Sequence, residues 1–174
     1  MPIRPYKGKT PSLGKEVFID ETAIIIGDVV LGDQCSVWPY AVIRGDVHKI
    51  RIGARTNIQD GCVLHVSHVN PEVNKLGSGL VIGEDVTIGH KAVLHGCTIS
   101  DRVLIGIGSI ILDNAVIGSD VIIGAGTVVP QGKQLNGGYL YVGNPARQVR
   151  PLIESEKELL RYGSEHYVKL KDSH

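Results

Sequence analysis

Residues 99–129 read ISDRVLIGIGSIILDNAVIGSDVIIGAGTVV, and every sixth residue, from Ile99 through Ile105, Ile111, Ile117 and Ile123 to Val129, is a β-branched aliphatic. The ladder also runs upstream. Ile19, Ile25, Leu31, Val37 and Ile43 fall six apart, then Ile52, Ile58 and Leu64, then Ile82, Ile88 and Leu94. Three additional residues precede Ile52, a longer interruption precedes Ile82, and a five-residue step leads to Ile99. Four residues after many rungs sits something small, as at Cys35, Ala41, Cys62, Ala92, Ser109, Ala115 and Thr127. Glycine often follows the rung directly, as at Gly32, Gly53, Gly83, Gly89, Gly106, Gly118 and Gly124. A fixed period of six with β-branched rungs reads as an all-β solenoid of parallel strands, each repeat one short strand plus one turn. The rung points inward, the small residue fits the crowded corner, and Gly or Asp serves the turn.

The ladder also divides the chain. Residues 1–150 form the solenoid, with the stretch HVSHVNPEVNKLGSGL expelled as a protruding loop near 66–80. GIGSII and GAGTVV do not complete a G-x-G-x-x-G, and both stand in register with the hexads, so their glycines belong to turns and not to a dinucleotide loop. Beyond Val129 the pattern stops, and PQGKQLNGGYLYVGNPARQVRP has the signals of a strand-and-loop exit. Residues 151–174 read as a C-terminal helix. Ser155 and Glu158 fit a capping box, Leu159, Leu160, Tyr162, Tyr167 and Val168 form the apolar side, and Gly163 marks a break.

Composition narrows the class of function. The chain has 174 residues and zero formal net charge, so nothing points to a nucleic-acid or membrane-surface partner. No apolar run is long enough to span a bilayer, and MPIRPYKGKT lacks the apolar stretch of a secretory signal, so a cytoplasmic location is expected. Three cysteines, Cys35, Cys62 and Cys97, show no C-x-x-C spacing and argue against a disulfide framework. Cys35 and Cys62 take the small inward position of their hexads, and Cys97 lies one turn from a histidine pair.

That pair, in the run GHKAVLHG, is His90 and His95. Their spacing of five suits neither one helix face nor one side of a flat strand. With the hexads as a ruler, Leu64 and Leu94 stack in successive coils about 4.8 Å apart, provided the protruding loop adds no face. His65 and His95 follow them directly and point outward, one above the other, with Arg44 in the same column. His90 stacks over Asp60, with Gln59 beside it, on another face. Nitrogens on one zinc ion lie roughly 3–3.5 Å apart. His65 and His95 can reach that separation from neighbouring coils. His90, round a corner, needs a neighbouring subunit on a three-fold axis to join them.

The runs VIRGD, NIQDGCVLH and GHKAVLHGC together resemble the γ-class carbonic anhydrases and their bacterial relatives, over residues 13 to 170. The resemblance implies a left-handed parallel β-helix of hexapeptide repeats and a homotrimer with metal at each subunit interface. His65 and His95 would come from one subunit and His90 from its neighbour. It also implies that Arg44, Asp46, Gln59 and Asp60 surround the site, with Arg44 and Asp60 paired between subunits and Gln59 holding the metal-bound water. Three imidazoles with an open fourth position favour Zn, and Fe or Co also fit. The implied activity is that of a lyase, the reversible hydration of carbon dioxide to bicarbonate by a metal-bound hydroxide. The alternatives are a metal-dependent thioesterase or hydrolase, a hexapeptide acyltransferase, and a non-catalytic metal-binding trimer. The chain departs from the family's pattern in having Val47 after Asp46, where a Glu is usual, and in a loop that carries Glu72 and His68 instead of an acidic run. His68 is either an exposed loop residue or a replacement proton shuttle.

Overall fold

The computed structural model describes residues 2–72 and 74–174; Met1, and Val73 in the protruding loop, lie outside them. Most strands are two or three residues long, and they stack in parallel on three faces. On the first face Val63–His65 and Val93–His95 pair in register, followed by Ile110–Ile111 and Val128–Val129. The strands Ile24–Leu31 and Val42–Ile52 turn a corner and serve two faces, so the first two faces form one continuous sheet. This is the left-handed parallel β-helix that the resemblance implies.

Each face contributes one inward aliphatic column. Ile25, Ile43, Leu64, Leu94, Ile111 and Val129 stack on the first face. Leu31, Ile52, Ile82, Ile99 and Ile117 stack on the second. Val37, Ile58, Ile88, Ile105 and Ile123 stack on the third. All of these are buried, and the three columns meet to form the hydrophobic core. Leu64 lies directly under Leu94, and Ile82 returns to the second face beside Ile52, so the 66–80 loop adds no face. The loop instead folds back on itself through isolated bridges Ser67 to Ser78 and Asn70 to Asn74.

The corner slot has a second use. Its small residue often carries a hydrogen-bond donor aimed at the neighbouring coil: Thr56 Oγ1 donates to the Gly83 carbonyl at 3.0 Å, and Ser109 Oγ to the Gly124 carbonyl at 3.0 Å. Cys35 Sγ donates in the same manner to the Gly53 carbonyl at 3.0 Å. Burial in a tight corner would otherwise leave those groups without partners, at a cost of about 1–3 kcal/mol each.

Three expectations need correction. The ladder does not stop at Val129. Leu135 pairs beside Ile117 and Tyr141 beside Ile123, both buried, giving one more coil whose last rung is an aromatic. The antiparallel strand Arg147–Pro151 then pairs with Tyr139–Val142 and covers the open edge. Secondly, the glycines after the rungs do not serve left-handed turns. Positive φ falls two residues later, at Gln34, Arg55, Asp85, Lys91, Gly108, Asp120 and Gly126. The rung-following glycines are required by close approach: a Cβ on Gly106 would lie 2.5 Å from the Ala125 nitrogen, and one on Gly53 2.5 Å from the Gly83 carbonyl carbon. Thirdly, the helix α1, Glu154–Lys171, starts earlier than a Ser155 cap allows. Ile153 is its N-cap, and the Glu156 carboxylate accepts the Ile153 N–H at 3.0 Å. It runs unbroken through Gly163, where absence of a side chain lets it lie close to Thr87 on the third face. No helix among the described residues is long and apolar enough to cross a membrane.

Two glycines two residues apart separate the roles. Gly108 has φ +68° and open space around it, so Gly108→Ala should cost only the left-handed penalty of about 1–2 kcal/mol. Gly106→Ala must push coils apart and should lower stability by at least twice as much in urea unfolding at equal protein concentration. Equal effects would show that coil spacing is not the constraint.

Candidate metal centre

Pairing of the strands Val63–His65 and Val93–His95 puts His65 and His95 side by side on the outer surface, as the hexad count requires. His65 Nδ1 faces His95 Nε2 at 3.1 Å. The other nitrogen of each ring meets a carboxylate: His65 Nε2 lies 3.0 Å from Asp46 Oδ1, and His95 Nδ1 lies 2.7 Å from Asp113 Oδ1. In the turn that precedes the Val93–His95 strand, His90 Nδ1 lies 2.9 Å from Asp60 Oδ2. Among the described residues, these three histidines are the ones whose rings pair with carboxylates. His48 instead accepts the Lys49 N–H, and His166 and His174 lie against tyrosine, phenylalanine and tryptophan rings.

A ring nitrogen held by a carboxylate carries its proton there, which turns the lone pair of the other nitrogen away. For His65 and His95 the two lone pairs then converge across 3.1 Å. A contact between two lone pairs is repulsive unless a proton or a metal cation sits between them. Two nitrogens on a tetrahedral zinc ion, at Zn–N near 2.0–2.1 Å, would be roughly 3.3 Å apart. Burial pushes the His65 pKa down against the Asp46 hydrogen bond, and the Arg44 charge adds to that. Burial also acts to raise the Asp46 carboxyl, but its bonds to His65 and Arg44 outweigh it and hold that pKa below the usual range.

The remaining expected residues divide. Arg44 pairs with Asp46 within the chain, so Asp46 bridges Arg44 and His65. Asp60 is engaged by His90. Gln59 is buried beside Asp60, and its amide nitrogen donates to Asn57 Oδ1 at 3.1 Å. His68 is exposed on the loop and, with Asn70 and Asn74, lines a polar cavity of about 320 Å³ that also borders Asp113. Glu72 is exposed nearby. Cys97 is buried like the other two cysteines. Burial pushes the Cys35 and Cys62 thiols up to about 11 and the Cys97 thiol up to about 12, so none offers a thiolate. Asp113 was not legible as a partner of His95, though a signal exists: it lies 18 residues on, three hexads and therefore one coil.

Among the described residues of one chain, no three His, Cys, Asp or Glu side chains gather as a metal-ligand set. His90 lies across the first face from His65 and His95. That face carries an outward column of Ile24, Val42, Val63, Val93, Ile110 and Val128, none of them buried. Tyr40 and Ile107 stand exposed at its edge. An apolar stripe between the two histidine positions has the character of an interface.

Comparison with known proteins identifies the family. The bacterial transferase hexapeptide (six repeats) model matches residues 10–45 and 96–131. The chain is 56% identical over 172 residues to Protein YrdA of Escherichia coli, covering 99% of this chain and 93% of the relative. It is 45% identical over 168 residues to a carbonic anhydrase of Geobacillus kaustophilus, covering 96% and 88%. A crystal structure of a hexapeptide transferase family protein from Anaplasma phagocytophilum superposes with a TM-score of 0.90 at 38% identity, covering 99% of this chain and 97% of that one. The hexad ladder, the β-helix and these relatives together place the chain in the γ-class carbonic anhydrase-like family of hexapeptide-repeat proteins.

Proposed function

We propose that the chain is a metal-dependent lyase of the γ-carbonic anhydrase type, which hydrates carbon dioxide reversibly to bicarbonate. It works as a cytoplasmic homotrimer, with zinc held by His65 and His95 of one subunit and His90 of the next. The observation that carries this reading is the 3.1 Å convergence of two histidine nitrogens whose outer nitrogens are each held by a carboxylate. The donor set fits a zinc ion, which when bound supplies a Lewis acid able to lower the pKa of water to about 7. Asp46 and Asp60 fix the rings of His65 and His90, and Arg44 keeps Asp46 ionised. Gln59, oriented by its bond to Asn57, would orient the attacking water. The apolar column of the first face supports an assembly that brings His90 to the neighbouring pair.

His90→Ala and His95→Ala should each weaken zinc binding by more than the roughly 10–100-fold that loss of an outer partner costs. Refolding an equal mixture of the two variants tests the division of ligands between subunits. An intact site needs a His65–His95 pair from one variant beside His90 from the other. Random assortment in a closed ring supplies that at about one site in four. Zinc binding should return to about that fraction in mixtures shown by tagging to contain mixed trimers. If mixed trimers bind none, the ligands are not shared. Zinc binding without carbon dioxide hydration would turn the reading toward a metal-dependent hydrolase or a non-catalytic trimer.

The proton released by each turnover has no acidic run in the loop to take it. Hydration should be slow at low buffer and should rise with added imidazole. His68→Ala should steepen that dependence if His68 carries the proton. An unchanged profile would leave His68 an exposed loop residue.

A further inference from the structure

We propose that Asp113 is the positioning residue of the metal centre: its carboxylate fixes the proton of His95 on Nδ1, turns Nε2 toward the metal, and ties this ligand to the base of the 66–80 loop. The metal half of this inference rests on the reading above; the hold on His95 does not. Asp113 lies outside the three sequence runs that resemble the family, yet its bond to His95, at 2.7 Å, is shorter than those that hold His65 and His90. Its second oxygen is also engaged, accepting Ser67 Oγ at 2.8 Å. A carboxylate held at both oxygens cannot rotate away from the ring.

The local backbone is built to admit it. Gly96, directly after His95, has φ +52°. A Cβ there would run into the Asp113 carboxylate and lie 2.8 Å from Ser78 Cβ. Only glycine lets Asp113 come under the ring while Ser78 passes alongside. The loop also returns to this point. Ser67 and Ser78, bridged to each other at the loop's neck, land on consecutive residues: Ser67 on Asp113, and Ser78 Oγ on Asn114 Oδ1 at 2.9 Å. Asn74 Nδ2 donates to Ser78 Oγ at 3.0 Å and stiffens the neck. The orientation of His95 and one of the loop's two anchors therefore depend on one carboxylate.

The test uses the intact protein labelled with ¹⁵N-histidine, observed by proton–nitrogen correlation and by zinc competition titration. In the parent protein His95 should show an Nδ1 proton protected from solvent exchange. Asp113→Ala should remove that protection and weaken zinc binding about 10–100-fold. Asp113→Asn, which keeps an acceptor without the charge, should retain the protected proton with a smaller loss of affinity. Ser67→Ala should keep the proton and speed amide exchange in the loop. A protected Nδ1 proton on His95 in Asp113→Ala overturns the proposal, as does, where the parent binds zinc through His95, a zinc affinity within threefold of the parent. If the parent binds zinc no better than His95→Ala, the metal reading fails, and the protected proton still decides whether Asp113 holds His95.

Discussion

The fixed spacing from coil to coil is the constraint on which everything else depends. Parallel hydrogen bonding holds successive strands about 4.8 Å apart, and a coil of three hexads returns the chain to the same position after 18 residues. Inward, that spacing stacks identical aliphatics into three columns and leaves no room for a Cβ at Gly53 or Gly106. Outward, it makes every surface side chain the neighbour of one a coil away. Arg102 pairs with Asp120 and His95 with Asp113 across 18 residues. Arg55 pairs with Asp85, and His65 meets His95, across 30 because the protruding loop intervenes. Solenoid spacing suits metal ligation for the same reason. Two imidazoles on adjacent coils need only tilt together to bring their nitrogens from the coil spacing to the separation that a tetrahedral ion requires.

How much of this was legible depended on whether it followed the period. The stacking of Leu64 on Leu94, the return of Ile82 to the second face, and the division of His90 from His65 and His95 all came from counting. The last coil escaped because its rung is Tyr141, which keeps the register but not the aliphatic character. The role of the rung-following glycines escaped because a glycine required by close approach and one required by positive φ look alike in sequence. The helix start was misplaced because its cap is supplied by backbone and Glu156, with no hydroxyl side chain at Ile153. Asp113 escaped because attention to motifs favours residues near the histidines along the chain, whereas the solenoid brings in residues one coil away.

The extra residues between Ile43 and Ile52 gain meaning from the site. A regular hexad would carry the chain directly from the first face to the second. The insertion produces a register shift opposite Gly27 and Val29 and lets Asp46 reach back under His65. Gly45 passes so close to the preceding coil that a Cβ would lie 2.7 Å from the Asp28 carbonyl oxygen. An irregularity in an otherwise strict repeat costs stability and packing. Its use here is a carboxylate at a position the repeat alone would not supply.

On the proposed assembly, metal binding and subunit association are one equilibrium. Zinc would be held by ligands from two subunits, so it binds the assembled form far better than the separated chain. Anything that binds one state preferentially stabilises it by mass action, and the coupling is reciprocal. In the tautomers that Asp46 and Asp113 favour, the His65 and His95 lone pairs face each other across 3.1 Å, with negative charge on either side. A divalent cation removes both penalties and is neutralised by carboxylates one atom shell away. On that assembly the ion would do more than add a reactive centre to a finished trimer. It would relieve a repulsion that arises when the fold stacks two histidines one coil apart, and that relief would be available only where a third ligand, His90 of the next subunit, completes the set.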